Sequence, residues 1–189
     1  MFLKIGKPPE HDFDEPLGLL SDCHRRIEYF LAVLVAITDQ LDGRSLDATR
    51  RSELQRALTY FTIAAPKHTA DEEESLFPRL AASTDAEAAE ALDLVRRLER
   101  DHQEADAHHR DVETLGRRWL ADGTLAESDV RDQRRHLAHL SDMYRDHIAA
   151  EDHQLFPATK RLLTETALRS IGREMAARRL PISAERDRE

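Results

Sequence analysis

Apolar side chains recur along this chain in steps of three and four residues, which is the period of an amphipathic helix. The first such stretch starts near Pro16, a residue tolerated in a first helical turn, and carries Leu20, Ile27 and Leu31 on one face. The turn-forming segment LDGRS, residues 41–45, ends it. The pattern predicts a long first helix with one buried side.

A second and a third stretch show the same period. The second begins near Leu46, and Pro66 within it predicts a kink or a helix break just before His68. The third follows a helix-start signal, in which Thr84 can cap the helix and Glu87 can complete a capping box. Two further long helices are therefore predicted.

A fourth stretch starts near Ser128, and Pro157 predicts a kink at its far end. A shorter pattern over residues 165–179 predicts one more helix, packed on the others. Four long helices with short connections predict an all-α fold, an up-down-up-down four-helix bundle with a short C-terminal extra helix. The expected boundaries are 14–164 for the bundle, 165–180 for the accessory helix, and 1–13 and 181–189 for extended or disordered ends.

Composition agrees with helices and narrows the functional class. The 189-residue chain is 40% hydrophobic and 34% charged, with only 5% aromatic residues, which disfavours a β-sandwich or barrel. Its net charge of −9 argues against nucleic acid as a partner, because phosphate binding requires a basic surface. Cys23 is the single cysteine, so no internal disulfide can form. No stretch has the length and apolarity of a membrane span or a signal peptide, so we expect a cytoplasmic protein without a membrane partner.

One segment of the chain occurs twice. HTADEEESLFP begins at His68 and HIAAEDHQLFP at His147, an offset of 147 − 68 = 79 residues. Both read H-x3-E-x3-L-F-P, and a His and a Glu four residues apart lie one turn from each other on the same helix face. Two such pairs can direct four metal ligands at one point inside a bundle. The repeat therefore indicates a buried metal site.

Each copy is preceded by another His with an acid four residues later. These pairs are His24 with Glu28 and His102 with Asp106, and their offset, 102 − 24 = 78 residues, nearly matches the first. This order indicates a duplicated helical hairpin. The residues predicted to bind metal are His24, His68, Glu72, His102, His147 and Glu151.

The chemistry of this set points to more than one metal ion. Its four imidazoles and two carboxylates exceed the four ligands that one tetrahedral structural zinc needs. Two ions bridged by both carboxylates, each with two His ligands, would use all six. Imidazole with carboxylate suits iron, and also manganese or zinc. The ions would offset the cost, on the order of several kcal/mol, of burying the carboxylates.

With these residues in place, the chain resembles the hemerythrin-like, or HHE cation-binding, family over roughly residues 14–164. H-x3-E-x3-L-F-P is the most specific part of the resemblance. It implies a non-haem centre of two Fe ions in a four-helix bundle, with the two Glu residues bridging them. In helix order, the implied ligands are His24, then His68 with Glu72, then His102, then His147 with Glu151.

One position departs from the oxygen-carrying hemerythrins. They have a further His four residues after the third-helix ligand, where this chain has Asp106. A coordinating Asp106 would make the site more anionic and favour ferric iron, and a non-coordinating one would leave one iron with an extra open position. Either case weakens the interpretation as a simple reversible oxygen carrier.

We therefore expect a protein that binds or senses O2, peroxide or NO, or that holds iron. The alternative is a di-iron oxidoreductase that consumes peroxide or NO, and a third hypothesis is a metal-free helical interaction module. A ferritin-like oxidase requires Glu-x-x-His on two helices, and only Glu99 with His102 has that spacing among the ligand helices. The sequence names no redox partner.

Several polar residues near the motifs have less specific expectations. Glu28 is expected beside the ligands or at the surface, and Glu73 and Glu74, off the ligand face, are expected to be solvated. Tyr144 could hydrogen-bond near the metals or pack, and His109 could line the far end of the site. The other histidines are expected at the surface: His11, His108, His136, His139 and His153.

Overall fold

The described parts of the chain are helical. A computed structural model of the protein describes residues 10–84 and 88–180. The first long helix is α1 (Pro16–Leu41), which ends at Asp42 in the left-handed conformation. The second helical rod joins three α-helices through two π-helical turns: α2 (Ala48–Thr59), π1 (Tyr60–Ala64), α3 (Ala65–Asp71), π2 (Glu72–Leu76) and α4 (Phe77–Ala81).

The second half of the chain repeats this plan. The third rod is the single helix α5 (Ala88–Asp122). The fourth rod consists of α6 (Glu127–Ala150), π3 (Glu151–Leu155) and α7 (Phe156–Leu162), and α8 (Glu165–Arg179) follows it. The capping box expected at Thr84 and Glu87 and the expected chain ends at 1–9 and 181–189 involve residues outside the described ranges.

Rods that follow one another in sequence are also neighbours in space. α1 packs against α2 and α6, and α5 packs against α2, α4 and α6. The fold is therefore the predicted up-down-up-down four-helix bundle. Within the described ranges, no helix combines the length and the apolar character needed to cross a bilayer.

Each of the three π-turns ends two residues before a proline. A proline has no amide donor, and its ring clashes with the carbonyl four residues earlier. Widening one turn to the π form accommodates both effects without ending the helix. The kink or break expected before His68, and the kink expected at Pro157, take this form. The three prolines are Pro66, Pro78 and Pro157.

Two of these turns start at the Glu of the repeated segment. In π2 the Phe77 amide donates to the Glu72 carbonyl, and in π3 the Phe156 amide donates to the Glu151 carbonyl. These bonds span five residues, which is the π-helical pattern. The L-F-P end of the motif thus shapes the turn that carries the acidic candidate ligand.

The apolar core is divided into two layers. One surrounds Leu34, Trp119 and Leu140, and the other surrounds Leu20, Leu80 and Leu98. Leu20 and Ile27 on α1 belong to different layers, so the helix turn that carries His24 lies between them. Burial on both sides isolates the polar side chains of this level from bulk water.

The accessory helix α8 is held to the bundle by charge and by close packing. The fully buried Asp71 accepts hydrogen bonds from Arg178, at 3.0 Å, and from Arg179, at 2.6 Å. Gly172 permits close approach, because a Cβ there would lie 1.8 Å from the Phe13 carbonyl oxygen. The chain just before α1 therefore packs against α8.

Candidate metal centre

The six side chains predicted to bind metal meet at the level between the two core layers. The first rod, α1, carries His24, and the second carries His68 and Glu72. The third rod carries His102, and the fourth carries His147 and Glu151. The side chains of both Glu residues are fully buried, and that of His102, the most exposed of the six, is 9% exposed. The duplicated hairpin therefore delivers ligands from all four rods to one place.

The candidate ligands fall into two groups of four. In each group, one nitrogen or oxygen atom from every residue lies within 4.8 Å of the others. Each group has two imidazoles of its own, and both carboxylates are common to the two groups. The first group is His24, His68, Glu72 and Glu151, and the second is His102, His147, Glu72 and Glu151.

Glu72 contacts one imidazole from each group. Its Oε1 lies 3.3 Å from His68 Nε2, and its Oε2 lies 3.4 Å from His102 Nε2. The two carboxylate oxygens therefore face opposite sides of the site. This is the position required of a carboxylate shared between two cations.

Glu151 also contacts one imidazole from each group, but through a single oxygen. Its Oε2 lies 3.0 Å from His24 Nε2, in the first group, and 3.3 Å from His147 Nε2, in the second. The two acids thus occupy related places about the centre, as the sequence repeat implies.

The donor atoms fit a bound cation. Both carboxylate oxygens of Glu72 and of Glu151, and Nε2 of His24, are buried and have no hydrogen-bond partner among the described residues. A buried carboxylate without a partner costs several kcal/mol, on the order of the desolvation penalty. Coordination to a cation would satisfy these atoms together, since they already point toward a common region.

The comparison with known protein families agrees with this donor set. The family model of the hemerythrin HHE cation binding domain matches residues 15–159. The chain belongs to this family. A similar protein, an uncharacterized protein of Haemophilus influenzae, is 28% identical over 172 residues, which cover 88% of this chain and 91% of that relative.

The HHE domain also supplies acceptors for the second nitrogen of two imidazoles. His24 Nδ1 donates to Asp152 at 3.0 Å, and His102 Nδ1 donates to Glu73 at 2.9 Å. Ser21 Oγ donates to the same Asp152 oxygen at 2.7 Å. Such acceptors orient a metal-binding imidazole and leave Nε2 for the cation. Glu73 is exposed, as expected, and in addition accepts this hydrogen bond from His102.

The two acidic acceptors occupy the same position in both copies of the repeated segment. In both copies of the repeated segment an acid directly follows the candidate Glu ligand: Glu73 after Glu72, and Asp152 after Glu151. A residue one position farther along a helix points about 100° away, which takes it off the ligand face of its own rod. Each acid instead reaches the His of the neighbouring rod.

The repeat is less symmetric at the other two imidazoles. His147 Nδ1 lies 3.4 Å from Asp101, the residue before His102. The residue before His24 is Cys23, and His68 Nδ1 has no hydrogen-bond partner among the described residues. His68 is therefore less firmly oriented than His147, its counterpart in the repeat.

The phenylalanines of the two L-F-P segments pack against these same imidazoles. Phe156 stacks on His24 with ring centroids 5.6 Å apart, and Phe77 stacks on His102 at 6.3 Å. Both rings are buried. In each motif, the acid after the Glu accepts a hydrogen bond from Nδ1 of a His on a neighbouring rod. The Phe of the same motif packs on the face of that imidazole.

Electrostatics within the site favour a proton on His24 and on His102, whereas burial and the neighbouring His24 lower the pKa of His68. Burial opposes the charged form of His24, but the neighbouring carboxylates of Asp152 and Glu151 outweigh it and raise its pKa to about 10. Burial and the charge of Glu151 raise the pKa of Glu72 to about 7. Burial acts against ionisation of Glu151 as well, yet the imidazoles of His147 and His24, at 3.3 and 3.0 Å from its Oε2, lower its pKa. The site therefore favours cationic charge between its two carboxylates.

A small internal cavity adjoins the candidate ligands. Its volume is about 20 Å³, and its lining includes His68, His102, His147 and Tyr144. This exceeds the roughly 10–15 Å³ that one water needs and leaves room for only a few atoms. A larger open cleft of about 290 Å³ shares four lining residues with it, so these residues lie between the interior and the surface: Ala65, Thr69, His102 and Tyr144.

The remaining expectations near the site have mixed outcomes. Asp106 is 67% exposed at its side chain and pairs with Arg110, and it belongs to neither group of candidate ligands. Glu28 lies at the surface. His109 Nε2 and Tyr144 Oη share a hydrogen bond of 2.8 Å at the cleft. The histidines His108, His136 and His139 form a half-buried cluster instead of separate surface residues.

Proposed function

We propose that this HHE domain holds a non-haem di-iron centre in which Glu72 and Glu151 are shared by the two ions. The observation that carries the proposal is that the two groups of candidate ligands have both carboxylates in common. A single tetrahedral zinc would leave two of the six ligands unused. Imidazole with carboxylate suits iron, while manganese and zinc are the competing metals to be tested.

The protein's own part in this proposal is to position donor atoms and exclude water. Asp152 and Glu73 fix the orientation of His24 and His102 through Nδ1, so that Nε2 faces the centre. The two core layers hold all six side chains away from bulk water. The residues are therefore preorganised before any cation arrives.

We further propose that the centre binds or senses a small molecule such as O2, peroxide or NO. Two bound iron ions supply redox chemistry and open coordination positions. The cavity of about 20 Å³ beside the ligands supports a guest of a few atoms. Access from the cleft would pass His102 and Tyr144, which line both spaces.

Metal analysis tests the centre itself. Protein purified without chelators and loaded with Fe²⁺ under anaerobic conditions should contain two irons per chain. Glu72→Ala and Glu151→Ala should each lose both, because each removes a shared ligand. Glu74→Ala is the matched control, since Glu74 is an exposed acid on the same turn. If either bridging variant kept both irons, the assignment of shared carboxylates would be wrong.

Optical titration tests the ligand. Reduced protein would be mixed with O2, peroxide or NO, and a stable spectral change at one ligand per centre is the expected result for a binding or sensing protein. The open cleft beside His102 favours a second candidate, an oxidoreductase, because a reductant could approach there. Continued consumption of peroxide or NO in the presence of a reductant would establish that alternative. Iron content without any spectral response would leave iron holding as the function.

A further inference from the structure

A second cluster of metal-binding side chains lies on the outside of the bundle. Glu104 and His108 are one turn apart on α5, and His136 and His139 are about one turn apart on α6. These two helices pack directly against each other. The cluster therefore bridges the third and fourth rods.

The side chains of this cluster are close enough to share one ion. One donor atom from each of Glu104, His108 and His139 lies within 4.8 Å of the others. His108 Nδ1 also lies 2.8 Å from His136 Nδ1. Ligands of a tetrahedral zinc, at about 2.0–2.1 Å from the metal, are separated by roughly 3.3 Å. Small side-chain rotations would bring the cluster to that spacing.

An unsatisfied nitrogen points to a missing partner. His139 Nε2 is shielded from solvent, and Glu104 Oε1 is 2.8 Å away from it, yet the two atoms make no hydrogen bond of acceptable geometry. Atoms that lie close together without bonding to each other are typical of ligands directed at a common ion. The ring of His108 stacks on that of His139 at 4.1 Å, which holds both imidazoles in place.

The cluster is separate from the candidate metal centre. Glu104 follows His102 by two residues, so it points about 200° away around the axis of α5. On α6, His139 precedes His147 by eight residues, or about 12 Å along the helix. The Glu104 side chain is 55% exposed and that of His139 is 39% exposed, so the cluster lies at the surface of the bundle.

We propose that Glu104, His108 and His139, with His136 beside them, form a second and solvent-accessible site for a late first-row divalent cation, Zn²⁺ foremost. Three imidazoles with one carboxylate match the ligand preference of zinc. A fourth position would be filled by His136 or by water. An ion bound there would join α5 to α6 at the surface of the bundle.

The electrostatics of His108 agree with this assignment. Burial, together with the neighbouring His139 and His136, lowers the pKa of His108. A neutral imidazole offers the lone pair that a metal ion needs. The lowered pKa therefore favours the neutral form of His108 that a metal ion requires.

Zinc titration of full-length, iron-loaded protein without an affinity tag tests the proposal. Isothermal calorimetry should detect one Zn²⁺ per chain in addition to the iron, and Co²⁺ should give the visible bands of a tetrahedral complex. His108→Ala/His139→Ala should weaken this binding at least tenfold and abolish the cobalt bands, while the iron content stays unchanged. His153→Ala, at an exposed histidine outside the cluster, is the matched control and should bind zinc like the wild type.

Two further variants keep the test decisive if the double variant does not fold. Glu104→Gln and His139→Ala alter partly exposed side chains, and each should weaken zinc binding while the melting temperature without zinc is retained. Equal zinc affinity in all of these variants and the wild type would overturn the proposal, as would the absence of extra zinc in the wild type. Glu72→Ala should lose iron and keep the zinc site, so failure of the di-iron proposal would be distinguished from failure of this one.

Discussion

Single side chains in the repeated H-x3-E-x3-L-F-P segment have separate tasks. The His and the Glu face the centre, and the Phe packs on an imidazole from a neighbouring rod, as Phe156 does on His24. The Pro removes an amide donor, which accounts for the π-turn that starts at the Glu. The acid after the Glu, Asp152 in the second copy, accepts from that same imidazole. Candidate ligands and their supports are therefore encoded together in one short segment.

Asp152→Ala tests the supporting role of that acid. The substitution leaves all six candidate ligands in place and removes the acceptor of His24 Nδ1, so we expect metal affinity to fall about 10- to 100-fold. Competition with a chelator would measure the change, and Asp152→Asn should recover part of it because an amide oxygen can still accept. Asp146→Ala, at an exposed acid on α6, should have no effect. Unchanged affinity in Asp152→Ala would show that orientation of His24 does not depend on Asp152.

Helices of this protein are placed by contacts of quite different kinds. Prolines widen the second and fourth rods into π-turns, whereas α8 is attached by Asp71 with its two arginines and by the close approach at Gly172. Asp71 directly precedes Glu72, so α8 is tied to the rod that carries two of the candidate ligands. The accessory helix therefore supports the wall of the metal centre.

Gly172→Ala tests the packing of α8. The added methyl group would meet the Phe13 carbonyl oxygen at 1.8 Å, so backbone must move, and we expect a loss of about 1–3 kcal/mol in the free energy of unfolding. Urea denaturation would measure it. Gly116→Ala is the control, because its new Cβ would meet only the flexible end of Leu58, at 2.8 Å. Equal stability of the two variants would mean that Phe13 does not pack on α8 in solution.

The bundle as a unit encloses two carboxylates between apolar layers. Neither Glu72 nor Glu151 has a hydrogen bond at its carboxylate oxygens within the described residues. Folding must therefore bury acidic groups whose desolvation cost only a cation can offset fully. Stability and metal binding are expected to be coupled throughout the fold.

Removal of the metal tests this coupling. Incubation with a strong chelator, followed by its removal, should lower the melting temperature by several degrees, and addition of Fe²⁺ should restore it, because ligand binding to the native state adds to its stability. Differential scanning calorimetry would measure both steps. A Glu72→Gln/Glu151→Gln variant should melt at the same temperature with and without chelator. If the chelator left the melting temperature of the wild type unchanged, stability and metal binding would not be coupled.

Much of the architecture was predictable from local spacing. The steps of three and four apolar residues predicted the four rods, and the end helix expected over 165–179 is observed as Glu165–Arg179. These predictions succeed because helix period, turn residues and proline geometry depend on neighbours within a few positions. The assignment to the HHE family rests on the same local motif and is confirmed by the match to residues 15–159.

Contacts between side chains on different rods depend on which rods pack together and on their alignment along the bundle axis. Spacing alone did not reveal that Glu73 would reach His102, or that His108, His136 and His139 would gather in one cluster. Those contacts join residues tens of positions apart, and helical periodicity fixes only the face of a residue on its own helix. The sequence by itself determined the helices, the family and the candidate ligands. Only the tertiary structure decided which imidazoles belong together, His24 with His68 and His102 with His147, because that pairing is set by the packing of one rod on another.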